Sequence, residues 1–373
     1  MGIYQDTRFA FDDCSQILFK AASPLAQSGF GMVTAARDDT DSVAHSRSLA
    51  ASQKPLRANY PLVAILGPTA SGKSALALHL AVVLNGEVVN YDSVQIYRGF
   101  NIGSGKVSSE ERLGIPHHLL DVLNSDQLMT AGQYRRLAIK ALAEIRGKGK
   151  LPVLVGGTGL YLRALLQGLF EGPPRSDTLR ARLRALELRR GRGFLHRMLR
   201  RLDPAAARRI HPCDLQKVMR AVEVYWLAGQ PISKLHEQGR HALSGFQVFK
   251  VGLNPSRSEL RERINRRVES MFASGLLQEA RALLDGSGAP TQISSGPFTA
   301  LGYRQACRVL RGEICFAEAV QDTQAATRRY AKRQLTWFRQ ETDVAWFDAF
   351  GDDPELQRHA SHWLLRRLAA ESH

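Results

Sequence analysis

The sequence has few cysteines and no long apolar run, and each shortage excludes a class of protein. Its 373 residues include four cysteines, at positions 14, 213, 307 and 315, and no two of them form a CxxC pair. This spacing argues against a zinc knuckle or a disulfide framework and fits a reducing compartment. No stretch reaches the roughly 18 apolar residues of a transmembrane helix, and the N-terminus lacks a signal-peptide core. We therefore expect a soluble cytoplasmic protein with no membrane partner.

Acidic residues are also scarce relative to basic ones. The chain carries 51 Lys and Arg against 35 Asp and Glu, a formal charge of +16. Residues 1–60 hold six of each sign, so the whole excess lies in the remainder. An excess of this size favours a polyanionic partner, either nucleic acid or an anionic surface.

Short apolar runs alternate with helix-compatible stretches along the middle of the chain. Apolar segments at 62–66, 87–91 and 151–157 are typical of strands buried on both faces of a parallel sheet. Helical patterns at 72–84 and 131–146 separate them. This alternation predicts right-handed βαβ units, and hence an α/β fold in which helices flank a doubly wound parallel sheet of the P-loop NTPase type.

The pattern changes to arginine-rich, helix-compatible sequence between about Pro173 and Ser244, which predicts an inserted all-helical subdomain. A strand-like run at 246–253 then returns to the sheet, and Leu260, Ile264 and Val268 form an apolar stripe on the helix after it. The predicted organisation has five parts: a flexible N-terminal extension (1–57), the first part of the P-loop core (58–172), the helical insert (173–244), the core return with a basic helical part (245–345), and a tail (346–373).

Arginines are concentrated at the start of the insert. Residues 175–209 contain twelve arginines against three acidic residues. Such a run is commonly a solvated helix face, but here too few acids are present to form i,i+4 pairs with the arginines. Contact with phosphates therefore remains an equal alternative.

The strongest local motif is GPTASGKS, which lies between a predicted buried strand and a helix. It satisfies G-x-x-x-x-G-K-[ST], the pattern of a loop whose backbone amides and helix N-terminus surround a phosphate. The lysine adds a fixed positive charge, and the final hydroxyl can reach a phosphate or Mg²⁺. The predicted phosphate-binding residues are Gly67, Pro68, Thr69, Ala70, Ser71, Gly72, Lys73 and Ser74.

Two further polar residues follow predicted strands. Asp92 lies at the carboxyl end of a strand, where ligands bind in open α/β sheets, so it is a candidate general base. A helix N-cap or a Mg²⁺ ligand is an equally good interpretation from its position alone. Thr158, in GGTGLY, offers a hydroxyl at the same edge or simply caps the next helix. His117 and His118 have no carboxylate or cysteine cluster at ligand spacing, and we interpret them as structural.

Seven motifs in order resemble the tRNA dimethylallyltransferase (tRNA isopentenyltransferase) family. The resemblance covers residues 61 to about 340, and the motifs are GPTASGKS, DSVQIYRG, PHHLLD, GGTGLYLRALL, LQKVMRAVEV, LGYRQ and AKRQLTWFR. The chain departs from the family at NIGSGKVS, where I-G-T-A-K-P is usual, and at FTALGYRQ, which lacks the usual isoleucine before Gly-Tyr.

The resemblance implies an enzyme that transfers a dimethylallyl group from dimethylallyl diphosphate to the exocyclic amine of the adenosine 3′ of the anticodon. In that reading Asp92 hydrogen-bonds and helps to deprotonate the amine, and Thr158 hydrogen-bonds the diphosphate. Lys73, Ser74, Mg²⁺ held in part by Ser74, and Arg220 neutralise the departing diphosphate. Stabilising the leaving group suits an allylic carbon that becomes cationic as its C–O bond breaks. We expect a monomer.

The same resemblance implies an interface with the tRNA anticodon stem-loop. The residues that it assigns to tRNA are Asp92, Ser93, Val94, Gln95, Thr158, Arg180, Gln216, Lys217, Val218, Met219, Arg220, Thr299, Ala300, Leu301, Gly302, Tyr303, Arg304, Lys332, Arg333, Gln334, Leu335, Thr336, Trp337, Phe338 and Arg339. From their residue types alone, Trp337 and Phe338 could stack on bases, although core packing is the favoured interpretation.

Three other functions would share some of these features. A P-loop kinase would keep the sheet, the loop and Mg²⁺, but it would turn over ATP and has no use for a basic helical insert. An isopentenyltransferase that acts on free adenine nucleotide would keep Asp92 and Thr158 but need no tRNA-binding segments. An RNA-binding GTPase-like module would require a guanine-reading N-K-x-D motif, which the sequence lacks.

Overall fold

The computed structural model describes residues 59–287 and 296–370, and the predicted extension 1–57 lies outside them. A six-stranded parallel sheet runs through the described chain in the order β3-β2-β4-β1-β5-β6. Its strands are β1 (Tyr60–Leu66), β2 (Gly86–Asn90), β3 (His117–His118), β4 (Leu151–Val155), β5 (Phe246–Leu253) and β6 (Val344–Phe347).

Helices connect the strands and cover both faces of the sheet. They are α1 (Lys73–Val83), α2 (Ala131–Gly147), α3 (Gly159–Leu166), α4 (Asp177–Arg190), α5 (Phe194–Leu202), α6 (Pro204–Arg209), α7 (Leu215–Ala228), α8 (Ile232–Glu237), α9 (Arg257–Ala273), α10 (Leu276–Ser287), α11 (Tyr303–Leu310), α12 (Phe316–Phe338) and α13 (Pro354–Ala370). This architecture confirms the predicted α/β fold with a parallel sheet flanked by helices. Among the described helices, none is long and apolar enough to cross a bilayer.

The central strands are buried on both faces, as their unbroken apolar sequences predict. In β1, Val63 pairs in register with Val153 of β4 and Phe249 of β5. Alternate β1 residues enter different cores: Leu62 packs with the helices of one face, and Val63 packs with α1 and α13 on the other. Successive side chains of a strand point to opposite faces, so both faces need apolar cover. Because the strands are parallel, their carboxyl ends lie at one edge of the sheet, and the loops that follow the strands meet there.

Helices α4 to α8 form a unit with its own apolar core between α3 and β5. That core includes Leu183, Leu195, Leu199, Met219 and Val222, all almost fully buried. Residues 173–244 contain no strand. Helices are the only regular secondary structure of this segment, as the sequence predicts.

The C-terminal residues differ from the expected tail. β6 adds to the sheet edge beside β5, with Ala345 in register with Val251. In α13, Leu356, Ala360 and Leu364 recur at helical spacing and are buried against the core that contains α1. β6 has only four residues, and an apolar pattern that short does not by itself predict a strand. The edge strand β3 has only two residues, so the sequence pattern does not predict it either.

Candidate active site

The glycine-rich loop lies between β1 and α1, where the motif predicted it. Gly72 is the N-cap of α1 and has a φ of +84°, a conformation that suits glycine. A Cβ at this position would lie 2.7 Å from Asp352 Oδ1, so packing also requires glycine. The first amides of α1 have no intrahelical acceptor and, with the helix dipole, favour an anion in front of the loop.

Lys73 is the buried cation of this loop. Its side chain is only 9% exposed, and Nζ donates to the Pro68 carbonyl at 2.6 Å. Burial, with a smaller contribution from the positive charge of Arg267, lowers the pKa of Lys73 from 10.5 to about 7, although the negative charge of Asp92 acts in the opposite direction. An anion bound against the loop would offset this cost by pairing with the charged amine.

A cavity of about 930 Å³ opens in front of the loop, and its walls are strongly basic. Lys73, Lys106, Arg263, Arg266 and Arg267 all line it. Lys106 is paired with Asp121 at 2.6 Å, and Arg263 is paired with Asp352. Arg267 has no ion-pair partner among residues 59–287 and 296–370. Burial lowers the pKa of Arg267, and the nearby negative charge of Asp92 only partly offsets this effect. Charges placed in this way fit a multiply charged anion such as a diphosphate.

Asp92 follows β2 and faces the cavity with one of its two oxygens committed. Oδ1 accepts hydrogen bonds from the backbone amides of Val94 (2.8 Å) and Gln95 (3.3 Å). Oδ2 has no hydrogen-bond partner among the described residues and lies 3.1 Å from the point where a Cβ on Gly157 would be. Oδ1 therefore caps the backbone turn that follows it, and Oδ2 remains available to act as a general base or to bind a ligand.

Thr158 supports the Asp92 loop. Its Oγ1 accepts a hydrogen bond from the Ser93 amide at 2.9 Å and donates to Ser93 Oγ at 3.0 Å. It makes no capping bond to α3, although it occupies the N-cap position. Thr158 is not among the residues that line the cavity. Its placement ties the end of β4 to the turn after β2, and a direct bond to the diphosphate stays a prediction.

Gln334 and Tyr330 of α12 join the phosphate loop to the turn after β4. Gln334 accepts from the Thr69 amide through Oε1 (2.8 Å) and donates to the Gly157 carbonyl through Nε2 (2.8 Å). The Tyr330 hydroxyl donates to the same carbonyl at 3.2 Å. Burial and the proximity of Asp92 raise the pKa of Tyr330, so this hydroxyl stays protonated. Both side chains line the cavity, and Gln334 was assigned from the sequence to tRNA alone.

A second cavity, of about 420 Å³, meets the first at Asp92. Both are lined by Thr69, Ala70, Asp92, Ser104, Arg267, Met271 and Tyr330. The residues that line the second cavity also include the predicted tRNA-contacting residues Ser93, Val94, Thr299, Ala300, Leu301, Gly302 and Arg333. The Asp92 carboxylate can therefore be reached from two separate spaces.

The remaining predicted tRNA residues of the C-terminal helices divide by exposure. Arg304, Lys332, Thr336 and Arg339 are exposed, and Leu335 is partly exposed. Tyr303 is fully buried, and its hydroxyl donates to Glu279 at 2.6 Å. Phe338 is also fully buried in the core. Trp337 packs against the same core and lies under Arg163, at 4.3 Å from ring to guanidinium, so both aromatics take the core role favoured for them.

Two arginines assigned to tRNA, Arg180 of α4 and Arg220 of α7, both bind one buried carboxylate. Arg180 is buried, and its Nε and Nη2 donate to the two carboxylate oxygens of Glu223, each at 2.9 Å. Arg220 donates to Glu223 Oε2 at 2.8 Å and to the Pro173 carbonyl. Neither arginine lines either cavity. In this arrangement Arg180 is not exposed to a phosphate, and Arg220 is not at the diphosphate cavity, because both neutralise the buried Glu223.

The other α7 residues assigned to tRNA also divide by burial. Gln216 and Lys217 are exposed, and Lys217 pairs with Asp214 at 2.7 Å. Val218 and Met219 belong to the apolar core of the insert. In this conformation the side chains of Gln216 and Lys217 can contact RNA, whereas those of Val218 and Met219 cannot.

The arginine-rich stretch nevertheless presents a large cationic surface. Ten of its twelve arginines are exposed, and the exceptions are Arg175, paired with Asp177, and Arg180. None of the ten forms an ion pair within residues 59–287 and 296–370. This surface has the properties of a phosphate-contacting face, since its charges are not neutralised within the described chain.

No metal cluster of three or more His, Cys, Asp or Glu side chains occurs in the described residues. Ser74 lines the first cavity together with Asp92, so one hydroxyl and one carboxylate face the same space. Mg²⁺ commonly binds through one or two protein ligands, substrate phosphate oxygens and waters, and these residues fit that mode.

His118 lies away from this cavity and hydrogen-bonds Glu87 at 2.7 Å within the sheet, as expected for a structural residue.

Several cavity residues were not found from the sequence. Arg263, Arg266 and Arg267 have i, i+3, i+4 spacing, which places them on one face of α9. This spacing is visible in the sequence, where it lies beside the apolar stripe of Leu260, Ile264 and Val268. Lys106 lies in the NIGSGKVS segment that departs from the family pattern, and its pairing with Asp121 depends on a contact between distant loops.

Comparison with known proteins adds independent findings. A family model described as IPP transferase matches residues 95–341. The tRNA dimethylallyltransferases of Koribacter versatilis and Solibacter usitatus are each 50% identical to the chain, over 79% and 80% of its length and 95% and 96% of their own.

Two solved structures are also similar to this chain. A tRNA isopentenylpyrophosphate transferase from Bacillus halodurans is 37% identical, with a TM-score of 0.63, over 84% of this chain and 98% of its own. A eukaryotic dimethylallyltransferase described as acting on tRNA has a TM-score of 0.69 at 28% identity, covering 81% of this chain and 78% of its own.

Proposed function

Because this chain belongs to the IPP transferase family, we propose that it transfers the dimethylallyl group of dimethylallyl diphosphate to the N6 amine of the adenosine 3′ of the anticodon in tRNA. The observation that carries the proposal is the meeting of two cavities at Asp92. One contains the phosphate loop and the basic wall, and the other contains the segment 299–302. A donor and an acceptor can thus reach one carboxylate from different sides.

The first cavity binds the diphosphate in this proposal. The loop amides, Lys73 and Arg267 surround the leaving group, and Arg267 takes the position that the family resemblance gave to Arg220. When the allylic C–O bond breaks, its electron pair stays with the diphosphate, whose charge increases. Preorganised donors and cations stabilise that charge more strongly in the transition state than in the ground state.

The second cavity admits the acceptor base. An adenine stacked in an anticodon loop cannot reach an enclosed carbon, so it must leave its stack. Its amine then lies beside Asp92 Oδ2, which accepts one N6 proton as the N–C bond forms. The lone pair of this amine is delocalised into the ring, so positioning contributes more than the basicity of Asp92. Thr158 acts by fixing the Ser93 turn that carries the carboxylate.

Ser74 would hold Mg²⁺, which would supply additional neutralisation of the charge on the diphosphate. The exposed arginines of α4 to α6, with Lys332, Arg333 and Arg339 of α12, are proposed to contact tRNA phosphates. We propose that the enzyme acts as a monomer in the cytoplasm, where tRNA is available.

A transfer assay with two acceptors tests the function. The protein is incubated with dimethylallyl diphosphate labelled in its prenyl carbons and Mg²⁺, and with either unmodified tRNA or AMP. We expect label in tRNA only, at the adenosine 3′ of the anticodon, without any need for ATP. Label in AMP alone would identify an enzyme of free nucleotides, and a requirement for ATP hydrolysis would indicate a kinase-like reaction.

A further inference from the structure

A loop of the C-terminal segment lies against the phosphate loop from outside the cavity. The Gly351 amide donates to the Ser71 carbonyl at 2.9 Å. A Cβ on Gly351 would lie 2.4 Å from the Gly72 carbonyl oxygen, so the two backbones are in close contact. This loop connects β6 to α13, and it follows the residues matched by the family model, which end at 341.

The same loop fixes one arginine of the basic wall. Arg263 donates from Nη1 to Asp352 Oδ1 (2.8 Å) and from Nη2 to Oδ2 (2.6 Å). Its guanidinium also lies over the Phe350 ring, at 4.7 Å from the centroid. Two contacts from one short loop therefore determine both the position and the plane of this guanidinium.

Arg263 lines the first cavity, whereas Phe350 and Asp352 do not. The carboxylate thus stands behind the arginine as seen from the cavity. A guanidinium has five N–H donors, of which Asp352 engages two. The other three remain for an anion, and their direction is set by the pair with Asp352.

We infer that Asp352 is a positioning residue for diphosphate binding: it holds Arg263 against the phosphate loop so that the free guanidinium donors face the diphosphate. The inference rests on the proposed function for the identity of the anion. It makes the affinity for diphosphate depend on the C-terminal segment. The opposing possibility is that Asp352 only repels an anion, in which case its removal would tighten binding.

Binding of inorganic diphosphate, measured by calorimetry on the full chain, separates these two roles. We expect Asp352→Asn to weaken binding about three- to thirtyfold, which lies within the range of coupling between neighbouring groups. Asp353→Asn is the matched control, since it removes the same charge one residue away, where the side chain caps α13 through the Glu355 amide. It should leave the affinity nearly unchanged. In an Arg263→Ala background, Asp352→Asn should have no further effect.

Two more variants guard against a merely structural effect. Asp352→Glu keeps the charge and should bind diphosphate more tightly than Asp352→Asn. Phe350→Leu removes the ring beneath Arg263 without changing charge and should also weaken binding. In the transfer assay, Asp352→Asn should raise the KM for dimethylallyl diphosphate and leave the KM for tRNA unchanged.

Tighter or unchanged diphosphate binding in Asp352→Asn, or equal weakening in Asp353→Asn, would overturn the inference. Because inorganic diphosphate is the probe, this result does not depend on catalysis. If the wild-type protein failed to prenylate tRNA while Asp352→Asn still lost affinity selectively, the proposed function would fail and the positioning role would stand.

Discussion

The charge state of Lys73 gives a prediction whose magnitude follows from the structure. Burial and, to a smaller extent, the charge of Arg267 lower the pKa of Lys73 to about 7, against 10.5 for the exposed amine. At about 1.4 kcal/mol per pKa unit, holding Lys73 protonated costs the folded state about 5 kcal/mol. The unfolded chain binds the extra proton between these two pKa values, so stability is lowest below pH 7 and rises as the pH rises towards 10.5.

Replacing Lys73 with methionine should remove this dependence. Relative to wild type, Lys73→Met should be more stable at pH 6, and its advantage should shrink by about 3 kcal/mol by pH 9, where the folded amine is already neutral. Differences in side-chain packing are the same at both pH values and cancel in this comparison. The measurement is urea unfolding at 25 °C of both proteins across this range.

Binding of an anion should favour the wild-type protein over the Lys73→Met variant. Inorganic diphosphate should stabilise wild type strongly at pH 6 to 7, because it pairs with the protonated amine, and should stabilise Lys73→Met far less. If the free energy of unfolding of the two proteins changed with pH in parallel, the pKa of Lys73 would not be lowered by burial. Equal stabilisation by diphosphate would show that the anion does not contact this side chain.

Four further variants test the site and the insert. Asp92→Asn should reduce the transfer rate at least about a hundredfold, as for loss of a general base, while a filter-binding assay finds tRNA affinity unchanged; lost affinity would make Asp92 a contact residue. Gln334→Ala should raise the KM for dimethylallyl diphosphate because the Thr69 and Gly157 backbones lose their bridge, and an unchanged KM would contradict this. Arg180→Ala should destabilise the fold by about 3 kcal/mol in chemical denaturation, since Glu223 loses a buried partner. By contrast, Arg184→Ala, exposed on the same helix, should leave stability unchanged and reduce the salt dependence of tRNA binding; the reverse pattern would disprove this assignment.

The sequence revealed the parts of the fold that depend on local pattern. The phosphate loop, the strand before it and the position of Asp92 at a strand end follow from short motifs, because strand and helix periodicity and the glycine spacing are local. Lys73 and Asp92 could therefore be named before any coordinates were known. The reactive oxygen of Asp92 could not be, since its identity depends on which amides the other oxygen binds.

Contacts between distant residues were the main omission. The twelve arginines near the start of the insert appeared to lack acidic partners, but Glu223, more than 40 positions from Arg180, neutralises it and also pairs with Arg220. The apolar stripe predicts the helix that carries Arg267, but only the folded chain brings α9 to the same cavity as the phosphate loop. Side-chain roles that require two separate elements to meet were thus beyond a reading of local sequence.

The most direct test of the account is a crystal structure of the protein with an anticodon stem-loop and a non-reactive thio analogue of dimethylallyl diphosphate. The account predicts diphosphate oxygens on the amides of residues 69–74 and beside Arg267. It also predicts an unstacked adenine in the second cavity, with N6 within hydrogen-bond distance of Asp92 Oδ2. A diphosphate outside the phosphate loop, or an adenine that reaches the site without passing the 299–302 segment, would contradict it.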